Sequence, residues 1–151
     1  MEKIKINTII EIAGAPEEHV KETIDKMMGI LKKNEKIEII KQEVAPPKKN
    51  EVAHPNDPKQ KVDVFSSFAE LELDFPTLDE LIQFCFVFMP SSIEVIEPQE
   101  IKVKQKDLEN PLNDLLAKLH NQARVIMEYD ALRKQIMAMQ QQKANSSQKE
   151  D

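Results

Sequence analysis

The order in which the hydrophobic period changes is the strongest constraint on how this chain can fold. Ile4, Ile6, Thr8, Ile10 and Ile12 alternate with Lys3, Lys5, Asn7, Ile9 and Glu11. A period of two describes a strand with one apolar face. Ala13-Gly14-Ala15 interrupts it, and the period then changes. Pro16 suits a first helical turn, where its missing N–H would have no partner anyway. Glu17 and Glu18 sit at the positive helix end, Lys32 and Lys33 at the negative end. Between them Val20, Ile24, Met27, Met28 and Leu31 return every three or four residues. Residues 16–33 therefore predict an amphipathic helix.

The same pair of patterns recurs further on. After the turn Asn34-Glu35-Lys36, Ile37, Ile39 and Ile40 open a second strand that runs to about Val44. Residues 45–61 hold Pro46, Pro47, Pro55 and Pro58 among lysines, and read as a mobile Pro/Lys-rich loop. A long third strand comes next. Val62, Val64, Ser66 and Phe68 keep one phase; Ala69, Leu71, Leu73 and Phe75 keep the other. Either a bulge between Phe68 and Ala69 or two separate strand segments accounts for the flip. Thr77-Leu78-Asp79-Glu80 is a capping box. The helix it opens is apolar over more than half its girth, through Leu78, Leu81, Ile82, Cys85, Phe86, Phe88 and Met89, which predicts deep burial. Pro90 stops it. Ile93 and Val95 form a fourth strand closed by Pro98, and Ile101 and Val103 fit a fifth at the edge.

Strand, helix, strand, strand, helix, strand is the βαββαβ order of an α+β, ferredoxin-like domain, here over residues 1–105. Right-handed crossovers put both helices on one face of the antiparallel sheet. The remainder is a long helix over residues 107–142, with Asn110 as N-cap and Pro111 in the first turn, then a polar tail at 143–151 expected to be disordered. Along the helix Leu115, Leu119, Gln122, Ile126, Tyr129, Leu132, Ile136 and Met139 make a near-heptad stripe with one short step after Tyr129.

Such a fold leaves one sheet face without helices. Ile9, Ile40 and Ile96 break strand alternation toward that face, and Phe65 or Phe68 joins them. Apolar patches of this kind usually mark contact surfaces. The expected interface therefore comprises these residues together with Ile126, Tyr129, Leu132, Ile136 and Met139 of the helix stripe.

Composition removes most alternatives. Two glycines, Gly14 and Gly29, cannot build a phosphate loop, and one cysteine cannot build a disulfide. No apolar run approaches the ~20 residues that span a bilayer, and the first residues open no signal-peptide pattern, which predicts a cytoplasmic protein with no membrane partner. His19, His54 and His120 lack metal-ligand spacing, so no metal is expected. Cys85, set in Phe84-Cys85-Phe86, reads as a buried, inert thiol. Glu70, Glu72 and Asp74 recur every second residue, as a solvated strand face does. The arginine-bearing phosphate loop of acylphosphatases, which share the fold, has no counterpart: Arg124 and Arg133 both lie on the last helix. Residues 62–110 carry eleven acids and three lysines, a balance that repels phosphates and argues against nucleic acid on the sheet. No enzyme activity and no cofactor is expected.

Glu70-Leu71-Glu72-Leu73, Asp79-Glu80-Leu81-Ile82 and Ser92-Ile93-Glu94-Val95-Ile96-Glu97-Pro98 together resemble the C-terminal extension of WYL-domain transcriptional regulators. The resemblance spans residues 70–98 and implies a ferredoxin-like, regulatory domain. The chain has neither the DNA-binding helix-turn-helix nor the WYL domain itself. The sequence thus predicts a non-enzymatic protein-interaction or regulatory module that associates with itself or another protein. The alternative is a small-molecule sensor, with ligand loops at Ala13–Glu17 and Pro90-Ser91-Ser92; a less favoured reading is a nucleic-acid-binding protein that uses the 45–61 loop and the long helix.

Overall fold

The computed structural model describes residues 2–54 and 56–147. It is an α+β structure with an open antiparallel five-stranded sheet and a long C-terminal helix. The chain divides into two compact units, Met1–Val103 and Lys104–Asp151.

The first unit contains β1 (Ile4–Gly14), α1 (Glu17–Lys33), β2 (Glu38–Val44), β3 (Lys48–His54), β4 (Asp57–Phe75), α2 (Leu78–Phe88) and β5 (Ser92–Glu97). The strands lie in the order β2-β4-β1-β5, and β3 also pairs with β4. One strand more than expected stands between the helices, so the element order is not βαββαβ. The extra strand replaces the expected mobile loop at 45–61. Pairing across β3 and β4 accounts for the strand within this stretch. Val52 lies opposite Val62 and Asn50 opposite Val64. Lys49 pairs with Asp63 at 2.8 Å and Lys61 with Glu51 at 3.1 Å. Pro58 falls where the β3–β4 register shifts, a place where a missing N–H costs little.

The expected phase flip in β4 has no bulge behind it, nor does the strand divide. β4 is one strand of 19 residues, and its pairing with β1 is unbroken from Ile4 opposite Phe75 to Gly14 opposite Phe65. The apolar set changes face because the strand serves two partners. Residues 67, 69, 71, 73 and 75 face the helices and are buried, whereas Val62, Val64 and Phe68 lie on the other face, with Val62 opposite Val52 of β3.

Both helices cover the same sheet face. Ile4, Ile6 and Ile10 of β1 and Ala69, Leu71, Leu73 and Phe75 of β4 form one core with Ile24, Met28 and Leu31 of α1 and Leu81 and Phe84 of α2. In α1 the buried residues Val20, Ile24, Met28 and Leu31 recur at helical spacing, as expected. At the start of α2, Thr77 Oγ1 accepts a hydrogen bond from the Glu80 N–H at 3.2 Å. The Glu80 carboxylate accepts from Lys36 Nζ at 2.6 Å, which raises the lysine's pKa. The expected deep burial of α2 is not found: Leu81 and Phe84 are buried, but Val87 and Met89 are 67% and 69% exposed. One side of the helix meets the sheet, and its remaining apolar residues lie around the rest of the girth. Met89 caps the helix in the left-handed region at φ 47°, and Pro90 after it disfavours continued helix.

Among the described residues, 101–104 form no strand, so the expected fifth edge strand at Ile101 and Val103 is absent. The second unit is α3 (Gln105–Ser147), 43 residues or about 64 Å long. It starts before the expected 107, with Pro111 inside the helix rather than in its first turn, and it ends after the expected 142. A proline there removes one backbone hydrogen bond, whose acceptor would be the Asp107 carbonyl. Of the tail expected to be disordered, residues 143–147 are helical; the remainder lies outside the described residues.

Candidate interaction surfaces

The sheet face opposite the helices is built from cross-strand rows. Glu38, Asp74, Lys5 and Glu97 form one row across β2, β4, β1 and β5. Lys41, Glu72, Asn7 and Glu94 form the next, and Glu43, Glu70, Ile9 and Ser92 the third. Carboxylates outnumber lysines throughout, and Glu43 stands directly opposite Glu70, a like-charge pairing that weakens a sheet. Lys3 bonds Glu38; the contact holds the glutamate below the usual carboxylate range and the lysine above its own. Lys5 reaches Glu97 at 3.7 Å. Asp74 Oδ1, in the same row, is buried and has no hydrogen-bond partner among the described residues.

Beyond these rows the face turns apolar. Phe68 is 43% exposed and lies diagonally from Ile9, since Phe68 is opposite Glu11 and Ile9 opposite Glu70. Val62, Val64 and Val52 continue the stripe onto the β3–β4 hairpin. Two further apolar residues come from bulges. The β2–β4 register skips Ile40, and the β5–β1 register skips Ile96. An extra residue in each outer strand leaves these isoleucines exposed. This is the physical reason that both break alternation in the sequence.

Of the five sheet residues expected at the interface, Ile9 and Phe68 are placed on this face by their register, and Ile40 and Ile96 are exposed in the outer strands without a register partner. Phe65 is not on this face. It lies opposite Gly14, in the row of Ser67 and Ala69 on the helix side, because the strand has no bulge to turn it over. Sequence reasoning put Val62 and Val64 in phase with Phe68 but missed Val52, which lay in the stretch read as a loop. No clear alternation in Lys48–His54 marked it, and the flanking prolines argued for a loop.

The second surface is α3 by itself. Ile126, Tyr129, Leu132, Ile136 and Met139 are all exposed, from 47% at Ile136 to 66% at Tyr129. Arg124 pairs with Glu128 one turn along and also donates to Asn121 Oδ1 at 2.9 Å.

Cys85 is half-buried, and burial raises its thiol pKa, so its thiolate is disfavoured. Among the described residues no group of three or more His, Cys, Asp or Glu could hold a metal ion, and no helix is long and apolar enough to cross a membrane. The turn at Ser91 and Ser92 is tied to β1: the Ser91 N–H and hydroxyl both donate to the Ile9 carbonyl, at 2.8 and 3.1 Å, and Thr8 Oγ1 donates to the Ser92 carbonyl at 2.8 Å.

Fold and surfaces define an α+β protein with an open sheet face, part acidic and part apolar, and a long helix bearing an exposed apolar stripe. The model of the MJ0538 family matches residues 5–145, and the chain belongs to that family. No curated protein and no solved structure matches it.

Proposed function

We propose that this chain is a non-enzymatic protein-interaction module: a ferredoxin-like core, its second strand extended by the β3–β4 hairpin, joined to a helix that pairs with another protein chain. The observation that carries the reading is the stripe on α3. Exposed apolar residues at near-heptad spacing over such a length are costly to leave in water unless a second helix covers them. The apolar end of the sheet face offers a second contact, and its acidic rows favour a partner with basic side chains there. The resemblance of residues 70–98 to the WYL-regulator extension supports a regulatory use of the same core.

Cross-linking through lysines in intact cells, followed by mass spectrometry, tests the reading. Lys134 on α3 and Lys41 on the sheet are expected to link to residues of another polypeptide. Leu132→Glu should abolish the first set and Phe68→Lys the second. Cross-links confined to single chains, or indifferent to both substitutions, would refute it.

A further inference from the structure

We infer that the occupant of the α3 stripe is a second copy of this chain, parallel and in register. This inference rests on the proposed interaction role and goes beyond it by naming the partner and its orientation. A strict heptad over residues 121–142 takes Val125 in place of the stripe's Ile126, which then falls at position e. In this frame Gln122, Tyr129 and Ile136 take position a, while Val125, Leu132 and Met139 take position d. The positions flanking that seam, e and g, are the ones that choose partner and direction. Between residues 121 and 142 only two flanking residues are charged: Glu128 at g and Arg133 at e.

Their spacing decides the orientation. In a parallel, in-register pair each g residue faces the e residue five positions later on the other helix. Glu128 then meets Arg133 of the other copy, and symmetry makes the contact twice. In an antiparallel pair g faces g and e faces e, so Glu128 and Arg133 never meet. In the single chain Glu128 bonds Arg124, whereas Arg133 makes no ion pair among the described residues. A carboxylate has two oxygens and can accept from both arginines.

The one polar seam residue agrees. In register, each seam residue meets its own copy, so the two Gln122 side chains meet and can satisfy each other. In a shifted register Gln122 faces an apolar side chain and its amide loses a partner, which is how a single polar a residue fixes alignment.

Disulfide trapping of the full chain, with Cys85→Ala to remove the native thiol, tests the geometry. Val125→Cys and Met139→Cys are each expected to give a covalent homodimer under mild oxidation. An antiparallel pair can bring at most one of these positions beside its own copy, so trapping at only one overturns the inference. Sedimentation equilibrium tests the charge pairing. Arg133→Glu leaves the Arg124–Glu128 pair intact and is expected to weaken the dimer about tenfold, since two symmetric contacts change from attraction to repulsion. Adding Glu128→Arg to Arg133→Glu is expected to restore association. A double variant as weak as Arg133→Glu alone overturns the pairing. A purified full chain that stays monomeric overturns the inference outright. If cross-links to a different protein in cells then persist and depend on Leu132, the broader reading stands without it.

Discussion

Replacing Phe84 with alanine should loosen α2 from the sheet. Phe84 is 2% exposed, and its ring centroid lies 5.3 Å from that of Phe75 and 5.0 Å from that of Phe88. A phenylalanine buries roughly 150–250 Å². At about 25 cal/mol per Å² that corresponds to about 4–6 kcal/mol, of which the remaining β-carbon keeps a part. Core Phe→Ala changes cost about 3–5 kcal/mol when the cavity is included. The two routes agree on a working figure of about 4 kcal/mol. With a urea dependence of about 2 kcal/mol per molar, the unfolding midpoint should fall by about 2 M. The assay is urea unfolding monitored by circular dichroism. Val87→Ala on the same helix is the control, because Val87 is 67% exposed and a surface truncation usually costs under about 0.5 kcal/mol. Equal midpoint shifts for the two variants, with unchanged slopes, would show that Phe84 does not anchor the helix.

Three further outcomes are expected. A β-carbon at Gly29 in α1 would meet nothing within 4 Å, so Gly29→Ala should raise stability by about 0.5–1 kcal/mol in the same urea assay. Thr77→Ala should cost about 1 kcal/mol through the lost cap to the Glu80 N–H, and Thr77→Ser should recover most of it. The Glu38 carboxyl should titrate below its ordinary value of 4.5 by NMR, and return toward it in Lys3→Gln. The lowered pKa sets the sign: the Lys3–Glu38 contact favours folding above the ordinary value, and that contribution is lost as pH falls through the folded one.

The features legible in the sequence were mostly local. Alternation in Ile4–Ile12, the spacing of Val20, Ile24, Met28 and Leu31, and the Thr77 cap each depend on neighbours along the chain, and each element formed where they indicated. The β3–β4 hairpin depends instead on pairing between Val52 and Val62, with two ion pairs beside it, and pairing is a property of two segments rather than of either. Prolines at 46, 47, 55 and 58 outweighed it in a local reading. The start of α3 failed for the opposite reason. Asn110-Pro111 is a strong local signal for a helix start, yet the residues before it are themselves helical, and a longer helix can absorb one missing bond. On the candidate surface, Ile9 was visible as a departure from alternation. Ile40 and Ile96 were visible too, but their bulges were not, and the side taken by Phe65 depended on a bulge that β4 lacks.

The two bulges also bear on how the sheet can grow. β2, β3 and β5 have its free edges, and β2 and β5 each carry one extra residue. An irregular, charged rim is a poor template for another strand, so polymerisation edge to edge is discouraged. Each bulge is also the one point in its strand where a residue can be deleted without inverting the rest of the strand. Removing Ile40 would leave Ile39 opposite Leu73 and Lys41 opposite Glu72, a regular ladder with every later side chain on its present side. Such a deletion would erase a surface knob and straighten the rim together, so a chain of this kind could trade a contact feature for a stickier edge in a single genetic step.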